Sequence, residues 1–282
     1  MRFMILGLGT RQETQLAAPD VIRAVEKAGK LVAQDFTGSL DLSGVEADAV
    51  VVLGGDGSIL RAARRMGEHQ IPVIAVNLGR LGFLADVSPE DLPNVLKDFE
   101  QGKCRIAEHL MFRCEVFING KRSHDFLGLN EVSIQTGPPF SMLDLDLYID
   151  SEPVTAYSCD GLIISSPVGS TGHSLSAGGP ILRKDLQAFV ISPISPHTLT
   201  NRPVVDSADR VYEVVVDESS PGEAFVVVDG CVLCELNIAD RVRVARAEPK
   251  FQLVVPPGHS YYRTLREKLR WSGRVRRISE GK

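Results

Sequence analysis

Residues Ala49–Leu60 read AVVVLGGDGSIL, and the reading of this stretch decides the fold. Ala49 to Leu53 is a continuous apolar run, as expected of a strand buried on both faces. Gly54, Gly55, Asp56 and Gly57 then turn the chain, and a helix begins near Ser58. A glycine turn between a buried strand and a helix commonly cradles phosphate. Glycines let a ligand approach the main-chain N–H groups, and the helix start adds its positive end. The turn matches neither G-x-x-x-x-G-K-[ST] nor G-x-G-x-x-G, and it holds no lysine. It carries a carboxylate instead. Beside phosphates, Asp56 has two chemical uses: to hold a Mg²⁺ riding on them, or to take the proton of a hydroxyl that attacks one. The plainer alternative is that Asp-Gly only makes a tight turn.

The first hundred residues around this stretch alternate strand and helix. RFMILGLG, KLVAQDF, DAVVVLGG and IPVIAVNLG are strand candidates. APDVIRAVEKAGK is a helix with Pro19 near its first position, Val21, Ile22 and Val25 on one face, and Gly29 as its stop. SILRAARRMGEH carries an apolar stripe of Ile59, Ala63 and Met66. SPEDLPNVLKDFEQG opens with a capping-box arrangement at Ser88, Pro89 and Asp91. Such alternation predicts a parallel, Rossmann-like α/β sheet.

Beyond about residue 106 the pattern changes. Asn119-Gly120 between two strand-like runs signals a hairpin, and LDLDLYID alternates apolar and polar. AFVISPI, VYEVVVDE, AFVVVDG, RVRVARA and FQLVVPP read as further short strands. Residues 1–105 are therefore expected to form an α/β domain and 106–259 a mainly antiparallel β domain. A last helix in SYYRTLREKLRW has Ser260 as its N-cap. With no linker between the two parts, a cleft between them is the expected ligand site.

At 282 residues, 44% hydrophobic and 24% charged, the composition is that of an ordinary globular chain. A net charge of −5 argues against a general nucleic-acid binder, and the basic end RWSGRVRRISEGK reads as a solvated tail. No apolar run reaches the ~18 residues of a membrane span, and MRFMILGLGT reads as a first strand, so a cytoplasmic protein is expected. Cys231 and Cys234 form a lone C-x-x-C without the second pair a structural zinc needs. Cys104, Cys114 and Cys159 sit on strand-like runs and read as packing residues.

Two further segments bear on chemistry. CDGLIISSPVGSTGHSLSAGGPIL, Cys159–Leu182, joins an apolar strand to a loop whose hydroxyls, from Ser165 to Ser176, suit a hydrogen-bonding ligand. GLNEVSIQ sets Asn130 and Glu131 side by side, a pair suited to the vicinal hydroxyls of a ribose. Each alone also reads as an ordinary loop or strand end.

Taken together and in this order, these segments resemble the NAD kinase family. GGDGS is similar to the family's GGDG[TS] turn, NLGRLGFLAD to its next strand and loop, LNEV to its NE motif, and DGLIISSPVGSTGHSLSAGGPIL to its long signature. SPISPHTLTNRPVV, around Pro196, His197 and Arg202, and the closing helix extend the likeness over nearly the whole chain. GGDG alone would be shared with diacylglycerol-type lipid kinases and phosphofructokinases; NE and SAGGPI would not. The resemblance implies transfer of the terminal phosphate of ATP, with Mg²⁺, to the 2′-hydroxyl of the adenosine ribose of NAD, giving NADP. Asp56 would activate that hydroxyl, with Gly54, Gly55, Gly57 and Ser58 around the phosphates and no protein-held metal. Arg61, Phe83, Asn130, Glu131, Asp160, Thr171, Gly172, His173, Ser174, Leu175 and Ser176 would join Asp56 and Gly57 in the dinucleotide pocket. It further implies a last helix that returns to the first domain, and a dimer or tetramer whose pocket borrows residues from a neighbouring subunit. The chain departs from the family pattern at Gly172 and His173, where alanine and a ring-stacking tyrosine are usual. Ser141 and Cys231 replace an arginine and a glutamine. These changes bear on affinity and dinucleotide preference, not on phosphoryl transfer. Gly172, His173 and Cys231 also motivate a second reading, a dinucleotide sensor that has lost its chemistry. Polyphosphate in place of ATP remains open as donor.

Overall fold

The structure is a computed structural model that describes residues 1–79, 82–138, 140–198, 200–220 and 223–270. Most of the basic tail, Trp271 onward, lies outside the described residues.

The expected alternation is present. It runs β1 (Arg2–Leu6), α1 (Gln12–Ala28), β2 (Lys30–Asp35), β3 (Ala49–Leu53), α2 (Asp56–Met66), β4 (Val73–Val76) and α3 (Leu92–Glu100). The strands pair in parallel in the order β2-β1-β3-β4. All five residues of β3 are buried, because helices cover both faces. Phe3, Ile5, Val51 and Ile74 pack with Val21, Val25, Leu92 and Leu96 of α1 and α3. Met4, Val50, Val52 and Ala75 pack with Ile59, Ala62 and Ala63 of α2. Two helix boundaries differ from the sequence reading. α1 begins at Gln12, which puts Pro19 inside the helix; its ladder lacks the one bond that Pro19 cannot donate. α2 begins at Asp56 rather than Ser58, which sets the carboxylate on the first helical residue.

The second half is antiparallel. β5 (Arg105–Ile118) and β6 (Lys121–Gly128) form the expected hairpin, with Asn119 and Gly120 at φ 52° and 75°. That pair of positive φ values is what a two-residue turn matching the strand twist requires. A six-stranded sheet follows in the order β12-β11-β10-β7-β14-β15. Its strands are β7 (Glu131–Thr136), β10 (Gly161–Ser165), β11 (Ala188–Ile194), β12 (Val204–Ser207), β14 (Ala224–Val228) and β15 (Cys231–Leu236). It packs face to face on β8 (Leu143–Ile149), β9 (Glu152–Cys159), β13 (Tyr212–Val216) and β5, around Phe112, Phe189 and Tyr212.

One strand ties the halves together. RVRVARA and FQLVVPP, read as two short strands, form a single strand β16 (Arg241–Val255). It pairs antiparallel with β13 and β5 and parallel with β4. Its register against β5 shifts between Arg246 and Lys250, around Pro249. The parallel strands thus continue into an antiparallel ladder, making one ten-stranded sheet. The short helix α4 (His173–Ser176) and the last helix α5 (Tyr261–Leu269) complete the elements. α5 starts after Ser260 without a side-chain cap bond.

Phe251 of β16 is fully buried in the cluster under α2. Phe251→Ala is expected to cost about 3–5 kcal/mol, read as a lower urea midpoint at unchanged slope.

Candidate active site

The glycine turn has the features of an anion site. Gly54 has φ +133°, and a Cβ there would meet the Ser58 hydroxyl at 2.2 Å, so only glycine fits. The N–H groups of Gly55, Asp56 and Gly57 find no protein acceptor among the described residues, as at an uncapped helix start. A cavity of about 140 Å³ opens beside them, lined by Leu6, Gly7, Leu8, Arg11, Gly57, Ser58 and Arg61. It lies between the ends of β1 and β3, where the strand order reverses. In open α/β sheets that is the customary ligand crevice. Arg65 also lines it but is engaged by the buried Asp35.

Asp56 does not stand free. Its Oδ2 accepts the Phe83 N–H (2.7 Å), and its Oδ1 accepts those of Leu84 (2.9 Å) and Ala85 (3.2 Å). The loop can come this close because residue 82 is glycine: a Cβ on Gly82 would lie 2.0 Å from Asp56 Oδ1. Each carboxylate oxygen has two acceptor positions, so Oδ2 keeps one open. Three main-chain donors thus orient the acid and leave one identified atom able to take a proton.

Asn130 and Glu131 are held by a residue the sequence reading passed over. Asp229, in the β14–β15 turn at φ 47°, accepts the N–H groups of Leu129 (2.8 Å), Asn130 (2.7 Å) and Glu131 (3.1 Å). The Asn130 and Glu131 side chains remain unsatisfied: Asn130 Oδ1 and Glu131 Oε2 are buried without a hydrogen-bond partner. Burial first, and then the neighbouring Asp229, push the Glu131 acid up to about 8. Burial likewise raises Asp229, against the pull of its three amide bonds. Two adjacent buried polar atoms left unpaired are costly, and hydroxyls of a ligand could pair with both.

The hydroxyl-rich loop divides into a scaffold and a rim. Ser166 Oγ donates to Leu129 O (2.5 Å) and Ser166 N to Asn130 O (2.8 Å). Ser170 Oγ donates to Pro167 O (2.7 Å) and accepts the Leu182 N–H (3.0 Å). Ser174, expected in the dinucleotide pocket, is fully buried and bonded to Ser192 (3.0 Å). These hydroxyls of Ser166, Ser170 and Ser174 fasten the loop to its own protein. A Cβ on Gly169 would meet Asn130 O at 2.2 Å, so the loop lies directly on the Asn-Glu segment. Thr171, Gly172, His173 and Leu175 are half-buried and Ser176 is exposed. A Cβ on Gly172 would stand 3.3 Å from Glu131 Oε2 and 3.6 Å from Asn130 Nδ2, which puts the start of α4 beside the unpaired atoms.

Asp160 is placed elsewhere in the chain. It precedes β10 at the end where Gly161 pairs with Gln135, whereas Ser165 at the other end pairs with Glu131. Asp160 O accepts the Thr136 N–H, Thr136 Oγ1 donates to Ser141 O, and His197 N–H donates to Ser158 O. Asp160, Ser141 and His197 therefore gather one strand length from Glu131, and a single chain does not bring Asp160 to the Asn-Glu pair. Cys231 sits beside Asp229 and takes a hydrogen bond from Arg64 of α2 (2.9 Å), linking the two halves. Among the described residues, no group of three or more His, Cys, Asp or Glu could hold a metal, and no helix is long and apolar enough to cross a membrane.

Comparison with known proteins puts this arrangement among the phosphotransferases. The family model for the ATP-NAD kinase N-terminal domain matches residues 3–104, and that for the ATP-NAD kinase C-terminal domain matches residues 129–255. An NAD kinase of Rhodopirellula baltica is 50% identical over 97% of this chain and 88% of its own. One of Methylococcus capsulatus is 39% identical over 84% and 82%. Among solved structures, yeast NADH kinase in complex with NADH superposes with a TM-score of 0.86 at 22% identity, covering 98% of this chain and 89% of its own. An Archaeoglobus fulgidus NAD kinase in complex with ATP superposes at 0.77 with 26% identity, covering 96% and 99%. The chain belongs to the ATP-NAD kinase family.

Glu131 keeps its proton to about 8 when folded but ionises near 4.5 in an unfolded chain. The native state therefore binds more protons across that window, and its contribution to stability falls as pH rises. Between about pH 6.5 and 8, ligand-free protein is expected to lose stability that Glu131→Gln does not lose, read as urea midpoints of the two proteins.

Proposed function

We propose that this chain transfers the terminal phosphate of ATP to the 2′-hydroxyl of the adenosine ribose of NAD, producing NADP, with Asp56 as the general base. The observation that carries the reading is the pair of unpartnered buried atoms, Asn130 Oδ1 and Glu131 Oε2. A ribose diol supplies the donors and acceptors they lack. The protonated Glu131 acid can donate to one hydroxyl while Asn130 accepts from its neighbour.

Asp56 Oδ2 accepts the proton of the 2′-hydroxyl. The ribose oxygen bonds to the terminal phosphorus, the bond from phosphorus to the bridging oxygen breaks, and ADP leaves with the bridging electrons. The free amides of Gly55, Asp56 and Gly57, with Arg61, suit the charge that spreads over the transferring oxygens. Mg²⁺ neutralises phosphate charge when it arrives with ATP. Asp56 is a single carboxylate with three of its acceptor positions engaged, which does not fit an octahedral protein cage. No protein-held metal takes part, and polyphosphate is a second donor to assay.

Thr171, Gly172, His173, Leu175 and Ser176 form the rim of the dinucleotide pocket in this reading, and Phe83 closes it near Asp56. Ser174 supports the rim from inside. The division into residues 1–105 for the phosphate donor and 106–259 for NAD follows the change from parallel to antiparallel pairing, with α5 returning to the first part. The working unit is a cytoplasmic homo-oligomer, a dimer or tetramer, without a nucleic-acid or membrane partner. Asp160 is the pocket residue that would come from a second copy. Phe140, 70% exposed near it, suits such a contact.

Asp56→Asn, still folded, is expected to lower NADP formation by roughly 10²–10⁴-fold; turnover at the wild-type rate would remove Asp56 as base. Gly82→Ala pushes a methyl against Asp56 and is expected to lower kcat by about tenfold or more while leaving KM for NAD near wild type, measured by steady-state kinetics.

A further inference from the structure

Lys184, a half-buried lysine, takes no part in the reaction above. It follows the glycine-serine loop, in ILRKDL. Its side chain is only partly exposed, with the ammonium withdrawn among three elements. Nζ donates to the Phe83 carbonyl (2.5 Å) and stands 5.6 Å from the centre of the Tyr261 ring of α5. Phe83 is the residue whose N–H holds Asp56 Oδ2. The carbonyl that Lys184 holds shares its peptide plane with the Leu84 N–H on Asp56 Oδ1 and adjoins the Phe83 N–H on Oδ2.

The surroundings are built to keep that contact. On α5, Lys268 Nζ lies 4.8 Å from the centre of the Phe83 ring, covering the loop from the other side. His259 pairs with Asp86, just beyond the loop. Tyr261 OH donates to Leu182 O (3.0 Å), and His109 Nδ1 contacts the Lys184 carbonyl (3.2 Å). The charged groups that bear on Lys184 are thus Asp56 of α2, Asp86 of the loop and Lys268 of α5; His109, His259 and Tyr261 pack around it, and the flanking Arg183 and Asp185 pair with each other. A half-buried ammonium on a carbonyl, under the pull of two carboxylates, is a costly arrangement for fastening a loop. An apolar side chain would pack there at less cost.

We propose that Lys184 is a positioning residue for the phosphoryl transfer: its charged ammonium pins the Phe83 peptide so that residues 83–85 hold Asp56 with Oδ2 open to the hydroxyl. This inference rests on Asp56 as base. Desolvation lowers the Lys184 ammonium to about 8, against the pull of Asp56 and Asp86. The pin therefore weakens on the alkaline side of neutrality, because the neutral amine holds a carbonyl less firmly and no longer attracts the two carboxylates.

The test is kcat at saturating NAD and MgATP from about pH 6.5 to 9.5, for wild type, Lys184→Arg and Lys184→Met, with circular dichroism and melting curves alongside. Saturating NAD keeps Glu131 paired, so its own titration stays out of kcat. Wild type is expected to lose activity on an alkaline limb near pH 8. Lys184→Met, when folded, is expected to show at least a roughly tenfold lower kcat at neutral pH, a KM for NAD within about two-fold of wild type, and no such limb. Lys184→Arg stays charged, so it is expected to restore part of kcat and to carry its limb at higher pH. A wild-type kcat in folded Lys184→Met, or an alkaline limb left near pH 8 in Lys184→Arg, overturns the inference. The arginine variant decides alone should the methionine variant fail to fold. An inert Asp56→Asn beside indifferent Lys184 variants defeats only this inference; an active Asp56→Asn defeats the reading of the base itself.

Discussion

The site depends on three main-chain hydrogen bonds, from the N–H groups of residues 83–85 to the carboxylate of Asp56. A carboxylate at the first residue of a helix could rotate freely into water or toward its own helix amides. Here a loop 27 residues further along the chain fixes it instead, and the approach is possible only because Gly82 has no side chain. The helix amides are thereby left free. In the proposed reaction, acid and amides share a few residues of backbone but meet opposite charges, as a turn receiving both an alcohol and a phosphoryl group would require.

The same device recurs at the Asn130–Glu131 segment. Asp229 holds the amides of residues 129–131 from about a hundred residues away, leaving the side chains of Asn130 and Glu131 as the unsatisfied groups. Most serine hydroxyls of the long loop also serve the backbone, so the loop is a rigid wall rather than a row of loose donors. Preorganised polar groups of this kind cost stability when the pocket is empty. Burial of Glu131 without a partner is the clearest instance, and β16 is the strand whose ladders join the parallel and antiparallel halves.

Much of the fold was legible in the sequence. The unbroken run Ala49–Leu53 announced a strand covered on both sides, Asn119-Gly120 announced its hairpin, and the residues that make the glycine turn and the polar pair were visible as motifs. The misses have common physical causes. Pro19 sits within α1 because one absent hydrogen bond in a 17-residue helix is outweighed by burial of Val21 and Val25. Pro249 looked like a break, yet tertiary pairing on both edges carries β16 through it. Gly82, Asp229 and Lys184 act on partners remote in sequence, so no local spacing reveals them; Asp229-Gly230 showed only as a turn signal. For Ser174 and Asp160, motif spacing does not say which way a side chain faces or which end of a strand it occupies; the structure supplies that.

The most direct test is a crystal structure of the complex with NAD. The account predicts the adenosine ribose over Asn130 and Glu131, with its 2′-oxygen about 2.6–3.2 Å from Asp56 Oδ2 and the amides of residues 83–85 still on the carboxylate. A dinucleotide bound with both ribose hydroxyls distant from Asp56, and Asn130 and Glu131 still unpartnered, would contradict it.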